Sequence, residues 1–490
     1  MKLEFHGHDE RYTVEQSLLN LFPGELPVYE PIQPGDESWA VVSCREEAGR
    51  LLVTTDLCYL GGNTAAFHAA SLSGTDYDRE GQRRHAIGAC FFQAYQSLTG
   101  NMPPWGMLTG VRPDKLVTEA LTAGKTPGAA REVLEKIYYV TPRRAALALE
   151  TGTAAFEAAK GLGPRDIAVY IGIPFCPTRC AYCSFVSQSV EKSFSLVDPY
   201  VDALAAEIEA GGRMARETGL NVRAMYMGGG TPTTLTAPQL DRVLTAFEMA
   251  FGPALDGCGE ITVEAGRPDT ITAEKLAVLK AHGVHRISVN PQTMEENVLR
   301  AIGRRHSPGD IEEAMELAAK CDFPHVNMDL IAGLPEDTAE GFYRSLERCL
   351  AFGTDNVTVH TLALKKGSRI LLEGLTIPGP EAVGEMLDYA EPALRNVGYA
   401  PYYLYRQKYM SGSFENIGWT RPGGECLYNI YIMSELCSIL SFGAGGSTKM
   451  VDPARRLIQR RFNPKFPKEY TERPDKLRSN QADFAAFYAR

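Results

Sequence analysis

Residues 170 to 186 read Tyr-Ile-Gly-Ile-Pro-Phe-Cys-Pro-Thr-Arg-Cys-Ala-Tyr-Cys-Ser-Phe-Val, which puts Cys176, Cys180 and Cys183 in C-x3-C-x2-C spacing. Cysteine thiolates hold iron–sulfur clusters. Three thiolates on one loop can hold three corners of a [4Fe–4S] cube and leave the fourth iron open to a small ligand, much as a catalytic zinc keeps one position free. The run Ile167 to Ile173 is rich in β-branched and aromatic residues and reads as a buried strand. Pro174 and Pro177 stop regular structure on either side of Cys176. The thiols therefore belong on a loop leaving the C-terminal end of a strand, where barrel enzymes place their chemistry. Two plainer readings compete. Cysteine is often simply buried, and a zinc site would need a fourth Cys or His that this loop does not offer.

A chain of 490 residues is too long for one ordinary core. Its 44% hydrophobic and 22% charged residues are those of a globular protein. A formal net charge of -10 argues against general nucleic-acid binding. No apolar run is long enough for a membrane span, and the polar, acidic start Met-Lys-Leu-Glu-Phe-His-Gly-His-Asp-Glu does not read as a signal peptide. Eleven cysteines without a secreted framework fit a reducing cytoplasm, which also suits an oxygen-sensitive cluster.

Residues 1–160 carry no metal-ligand spacing and read as an N-terminal α+β domain of unassigned role. Trp39 to Ser43 and Leu51 to Thr55 look like strands joined by a charged turn. Ala86 to Leu98, Ala129 to Tyr138 and Arg143 to Ala159 look like helices. Arg112 and Lys115, in a Gly- and Pro-containing segment, either meet a carboxylate-bearing ligand or are solvated surface charges. Gly161 to Pro164 reads as a linker.

From 165 to 405, strand-like and helix-like runs alternate. The strands are Ile167 to Ile173, Arg223 to Met227, Glu260 to Ala265, Arg286 to Asn290, Val326 to Ile331 and Asn356 to Leu362. The helices are Pro199 to Thr218, Ala237 to Phe251, Ala273 to Ala281, Gly309 to Ala319 and Thr338 to Phe352. This rhythm predicts an α/β domain of βαβ units with a parallel sheet. Residues 406–490 read as a separate C-terminal domain covering the substrate, ending in a basic stretch with Arg455, Arg456, Arg460, Arg461, Lys465 and Lys468. Those charges either attract propionates or a nucleic-acid phosphate, or form a solvated face. Cys426 and Cys437 are auxiliary thiols or, more plainly, packing.

Polar residues recur where the strands end. Gly228-Gly-Gly-Thr-Pro232 follows the second strand, and glycines let a backbone approach a ligand. Glu264 ends the third strand, Gln292 follows the fourth, Arg304 lies in Ile302-Gly-Arg-Arg-His306, and Asp329 sits inside the apolar fifth. A carboxylate in such a run must be paired or open onto a site. Repeated placement at successive strand ends predicts one active-site rim.

The three-cysteine spacing resembles the radical S-adenosylmethionine (SAM) superfamily. The ordered set Tyr-x-x-Ile-Pro-Phe-Cys, Gly-Gly-Gly-Thr-Pro-Thr, Glu, Gln, Arg and Asp-Leu-Ile-x-Gly-Leu-Pro, over about 167 to 450, resembles the oxygen-independent coproporphyrinogen III oxidases. The N-terminal domain and the segment Asn416 to Tyr428 look most like the longer coproporphyrinogen dehydrogenase branch, HemZ. The resemblance implies a partial (β/α)6 barrel holding a [4Fe–4S] cluster on Cys176, Cys180 and Cys183, with SAM on the open iron. It implies that Tyr170 and the backbone of Tyr182 contact SAM and that Gly229, Gly230 and Thr231 line its methionine part. Glu264, Gln292, Arg304 and Asp329 would hold its carboxylate, ribose and sulfonium surroundings, and Ile331 and Ala363 would pack near the adenine. The fork of Arg304 suits a carboxylate.

The implied chemistry is reductive cleavage of SAM to a 5′-deoxyadenosyl radical, then oxidative decarboxylation of coproporphyrinogen III propionates to vinyl groups, giving protoporphyrinogen IX in heme biosynthesis. A reduced ferredoxin or flavodoxin would supply electrons. Arg267, Arg305, Lys365 and Lys366 are candidate partners for the propionates. Two departures matter. The decarboxylating oxidases carry a fourth cysteine where this chain has Phe185, and His-Ile-Pro-Phe where it has Gly172-Ile-Pro-Phe175. The heme-chaperone branch shares the Phe, so a heme carrier with His306, His325 or His360 as heme ligand stays open, as does a radical SAM tetrapyrrole methyltransferase.

Overall fold

The computed structural model describes residues 1–183, 187–364, 368–407, 411–455 and 457–489. Phe185, Lys365, Lys366 and Arg456 lie outside the described residues. The chain divides into two compact units, Met1–Pro113 with Ala123–Leu149, and Asp114–Thr122 with Glu150–Arg490.

The first unit is a four-stranded sheet of β1 (Lys2–His6), β2 (Ser38–Glu47), β3 (Arg50–Tyr59) and β4 (Gly62–Ser71), in that order. β1 runs parallel to β2, and β2, β3 and β4 form a meander. Ala48-Gly49 and Leu60-Gly61 make its two turns, all four residues at positive φ, as two-residue hairpins require. Leu51, Val53 and Leu57 bury the same face of β3, and Ile87, Cys90, Phe91 and Ala94 join them from the helix Asp76–Thr99.

That helix is ten residues longer at its start than the apolar pattern predicts. Its polar first half carries no periodic stripe, but Thr75 and Asp78 form a capping box. The predicted helix Ala129 to Tyr138 is Pro127–Glu132 running into a π-turn at Val133–Ile137. β1, β4 and the helix Arg11–Leu21 were not legible; β4 alternates mostly small residues and reads as a weak strand.

In the second unit the six predicted strands are β5 (Asp166–Ile173), β8 (Asn221–Gly229), β9 (Glu260–Glu264), β10 (Arg286–Ser288), β11 (His325–Ala332) and β12 (Asn356–Thr361). Two short strands, β6 (Phe175–Cys176) and β7 (Gln188–Ser189), pair parallel after β5. The six long strands lie side by side in chain order, all parallel. Helices Val197–Glu217, Ala237–Phe251, Ala273–Ala281, Pro308–Cys321 and Ala339–Ala351 alternate with them, as successive βα units demand.

The later strands extend the same sheet at both ends. β13 (Ala400–Arg406) and β14 (Glu415–Thr420) add antiparallel beside β12, while β15 (Ser438–Phe442), β16 (Ser447–Asp452) and β17 (Leu457–Phe462) continue from β5. Among the described residues β13 and β17 are the free edges of an eleven-stranded sheet, and no pairing closes it.

Candidate active site

β5 delivers the chain into the cysteine loop, and the short β6–β7 pair pins the loop's neck. The Gln188 N–H donates to the Pro174 carbonyl (2.9 Å), and Ser189 Oγ to the Pro177 carbonyl (3.0 Å). The loop's middle docks on the turn after the helix Glu296–Ala301. There the Ala181 N–H donates to Ile302 O (2.9 Å), and Thr178 Oγ1 to Gly303 O (3.2 Å). Cys176 is buried, and Cys180 and Cys183 are half-buried. Thr231 Oγ1 donates to Cys176 Sγ (3.5 Å), and Arg267 Nη1 reaches Cys180 Sγ (3.8 Å). Burial pushes the Cys176 thiol up, with Thr231 opposing it.

The glycine run following β8 packs against the neck. The Gly230 N–H donates to Ile173 O and the Thr231 N–H to Phe175 O, both 2.7 Å. A Cβ on Gly230 would sit 2.5 Å from Phe175 O, so the close approach is to the cysteine strand itself. Gly229, at φ +111, lies beside Ile173 and the Tyr170 hydroxyl.

Strand register gathers the remaining residues. Tyr170 pairs with Tyr226, Ser288 with both Glu264 and Asn327, and Asp329 with Thr358. Alternate residues share a face, and on this face the polar ones bond to one another. Asn327 Nδ2 donates to Ser288 Oγ (3.2 Å) and Asp329 Oδ1 (2.8 Å), and Thr358 Oγ1 donates to Asn327 Oδ1 (3.2 Å). His360 Nε2 lies 3.7 Å from Asp329 Oδ2, and its Nδ1 3.4 Å from the Tyr405 hydroxyl. Tyr226 donates to Glu264 Oε1 (2.6 Å), and its ring clusters with Tyr170 (6.4 Å) and Tyr428 (4.8 Å), which are 6.2 Å from each other. A closed barrel fills its interior with Val, Ile and Leu; this polar, tyrosine-rich lining belongs to a sheet that handles a ligand.

Two carboxyls on this face are driven apart. Burial, and the negative charge of Asp329, push Glu264 up to about 7 against the pull of the Tyr226 hydrogen bond. Burial opposes the ionisation of Asp329, but His360, Asn327 and Thr358 hold it below its ordinary value. One is therefore ionised at neutral pH and the other can hold a proton, the pattern that separates acid and base roles.

Arg304 reaches the loop from the turn after the helix Glu296–Ala301, where Cys180 is also among its partners. Its Nη1 donates to Asn290 O (2.6 Å) and Gly266 O (3.4 Å), and its Nη2 to the Tyr182 hydroxyl (3.1 Å). Tyr182 packs on an apolar cluster containing Ile331, Leu334, Leu362 and Ile370, and Ala363 follows Leu362 half-buried. Gln292 is held at φ +69, its N–H donating to Asp329 O (2.9 Å) and its carbonyl accepting from Ile331 N (3.0 Å). A non-glycine residue in that region costs about 1–3 kcal/mol and clusters at functional sites.

The rim residues named from sequence thus lie along one sheet face and the cysteine loop. Tyr226, Asn327, Tyr405 and Tyr428 were missed, although a polar residue at every second position of β11 and β12 was the available signal. Arg267 is 2% exposed, facing Cys180 and Asp269, and Arg305 is exposed and paired with Glu191 (2.6 Å). His306 is buried, and His325 sits at the opposite end of β11 near Asp355 (3.7 Å). Lys115 is ion-paired with Glu435 (3.1 Å), and the buried Cys426 thiol donates to Glu260 (3.0 Å). A surface groove lined by Met315, Val326, Arg348 and Thr354 opens at the N-terminal strand ends, away from the loop.

The residues suit the implied cofactors. Arg304 Nε and Asn290 Oδ1 are buried with hydrogen-bonding capacity left over, which fits a polar ligand beside the loop. Donors aimed at two of the sulfurs favour thiolates. Among the described residues no three His, Cys, Asp or Glu side chains converge as the ligands of a single ion do. A cube asks for wider spacing, because each thiolate binds a different iron.

Residues 170–349 match the model of the radical SAM superfamily. The oxygen-independent coproporphyrinogen-III oxidase-like protein HemZ of Bacillus subtilis (strain 168) is 36% identical over 482 residues, 96% of this chain and 95% of the relative. The heme chaperone HemW of Mycobacterium tuberculosis (strain CDC 1551 / Oshkosh) is 30% identical over 323 residues, 64% of this chain and 76% of that one. The structure of the radical SAM enzyme coproporphyrinogen III oxidase (HemN) from Escherichia coli aligns with a TM-score of 0.54 at 24% identity, covering 67% of this chain and 73% of its own, a likeness of fold. With such identity along nearly the whole of both sequences, the chain belongs to the radical SAM superfamily, in the family of the oxygen-independent coproporphyrinogen-III oxidase-like proteins.

Proposed function

We propose that this protein oxidatively decarboxylates propionate side chains of coproporphyrinogen III to vinyl groups. The observation that carries the reading is the polar, tyrosine-rich face of β5 and β8–β13 at the mouth of the cysteine loop, in a chain that matches a HemZ relative almost end to end. When bound, the [4Fe–4S] cluster and SAM used by the superfamily supply hydrogen-abstracting radical chemistry. Each propionate converted gives up one hydrogen atom, one CO2 and one electron, and the electron passes to an external acceptor.

The chain's own residues have separable tasks in this reading. Cys176, Cys180 and Cys183 hold the cluster. Arg304 offers its fork to a carboxylate of SAM, with Tyr182 fixing its plane. Asp329 stays ionised and accepts from a ribose hydroxyl. Glu264, near half-protonation at neutral pH, donates or accepts where charge requires. Gly229, Gly230, Thr231 and Gln292 shape the backbone around the methionine part. Ile331 and Ala363 supply apolar surface for the adenine, and Tyr170, Tyr226 and Tyr428 a stacked floor. Residues 406–490 complete the substrate side. A reduced ferredoxin or flavodoxin supplies electrons, and eleven cysteines without a secreted framework suit a reducing cytoplasm. No helix among the described residues is long and apolar enough to cross a membrane.

A second reading, a heme carrier, is favoured by His360. Of the three histidines considered, it is the one on the polar face at the loop end of the strands, with a quarter of its side chain exposed. One anaerobic experiment separates the readings: reconstituted protein, SAM, reductant and coproporphyrinogen III, with products followed by mass. Loss of two CO2 units supports decarboxylation. Heme uptake without loss of CO2 sinks it in favour of carriage, and a product gaining methyl groups points to methyl transfer.

A further inference from the structure

The side chain of Arg267 is buried directly behind the cysteine loop. Its Nη1 donates to Thr178 O (3.4 Å) and Thr178 Oγ1 (3.2 Å) and reaches Cys180 Sγ at 3.8 Å. Its Nε and Nη2 form a two-pronged pair with Asp269 (3.1 and 3.2 Å). A single turn at Pro268–Thr270 locks it from below: the Thr270 N–H and Oγ1 both donate to the Arg267 carbonyl, at 2.9 and 2.7 Å. His306 fills the space alongside, 3.9 Å from Asp269. Burial, then Arg304 and Arg267, push this imidazole down to about 3. It is therefore neutral, and adds no cation beside the guanidinium.

A guanidinium is charged at every accessible pH. Its charge acts strongly in a site shielded from water, and an arginine 2% exposed is that case. Asp269 takes two of its five N–H groups, and Nη1 turns to the loop and its second sulfur.

We propose that Arg267 is a positioning residue for the cluster: it orients the Cys180 thiolate and sets the electron affinity of the centre, with Asp269 moderating its charge. Reduction adds a negative charge to the cluster, so a fixed positive charge beside one sulfur favours the reduced form. Hydrogen bonds and charge at the sulfurs are among the protein's levers on cluster potential. Asp269 acts in the opposite sense, being 29% exposed and so only partly offsetting the arginine. The inference rests on the cluster ligands named under Proposed function.

The test uses full-length protein reconstituted anaerobically with iron and sulfide, as wild type, R267Q, R267K and D269N. Iron content and an EPR-monitored potentiometric titration are read for each. R267Q is expected to retain iron while its reduction equilibrium falls about tenfold, equivalent to about 59 mV for one electron. R267K is expected to recover most of that shift, and D269N to move it the other way. Equal iron with an unmoved potential in R267Q overturns the inference. Should R267Q fail to load, D269N decides: a raised potential supports the inference, and an unmoved or lowered one overturns it. Wild-type protein that holds no cluster overturns the ligand assignment and this inference together, an outcome told apart by its iron count.

Discussion

Tyr226 donates a 2.6 Å hydrogen bond to Glu264 across two neighbouring parallel strands, at the level where the sheet meets the cysteine loop. The bond favours the ionised carboxylate, while burial and the charge of Asp329 outweigh it. Folding therefore raises the affinity of Glu264 for a proton from its ordinary 4.5 to about 7. The contribution of this carboxyl to stability is fullest below about 4.5, falls as pH rises toward 7 and levels off above it, because the unfolded chain gives up that proton first. Glu207, buried against Tyr470 (2.5 Å) and raised to about 7 chiefly by burial, acts in the same sense. In urea unfolding of the apoprotein these two carboxyls should pull the midpoint down between pH 5 and 7, opposed below about 6.5 by His306, whose proton affinity folding lowers. E264Q should flatten the slope by an amount worth at most about 3 kcal/mol.

Serine at Cys176, Cys180 or Cys183 should remove nearly all of the iron bound after reconstitution, and with it the visible absorbance. Serine at Cys321, a half-buried thiol at a helix end, should leave both unchanged. Iron counting and absorbance check the pair.

Arg304→Lys keeps the charge but loses the fork that reaches Asn290 O and Tyr182 at once. SAM binding to the reconstituted protein, measured by calorimetry, should weaken about tenfold or more.

Gly230→Ala forces a Cβ to 2.5 Å from Phe175 O and 2.9 Å from Ile173 O. Both are backbone atoms of the loop's neck, so the strand must move. A loss of about 2–4 kcal/mol should appear in denaturant unfolding, together with reduced iron loading.

At the far end of the sheet, Arg286 is buried against Glu260 (3.4 Å) and Glu425 O (3.2 Å) and also donates to Asn356. Glu260 in turn accepts from Cys426 and Leu427, both at 3.0 Å. Arg286→Met leaves that carboxylate buried without its cation and should cost about 3–5 kcal/mol of stability, read from urea unfolding, while SAM binding at the opposite end is unchanged.

The βα rhythm was legible because each parallel strand is a buried β-branched run and each helix carries an apolar stripe. All six strands lie within a few residues of their expected positions. The rim was legible wherever a polar residue interrupts such a run, as at Glu264 and Asp329. What no local pattern revealed depends on the sheet's order. Tyr428 meets Tyr170 from 258 positions further along the chain, on a helix that leads into β15 as it returns to pair with β5. Arg267 was read as a cation for a propionate because sequence does not show which charges a fold will bury.

The last strand, β17, has an open flank: its outer amides and carbonyls meet no further strand among the described residues. Such a flank can recruit a stray strand from another molecule. Arg460 and Arg461 sit on it, tethered to Glu435 (3.4 Å) and Asp483 (2.5 Å). Charged side chains on an outermost strand work against such recruitment, so Arg460 and Arg461 act as a guard rail along that flank.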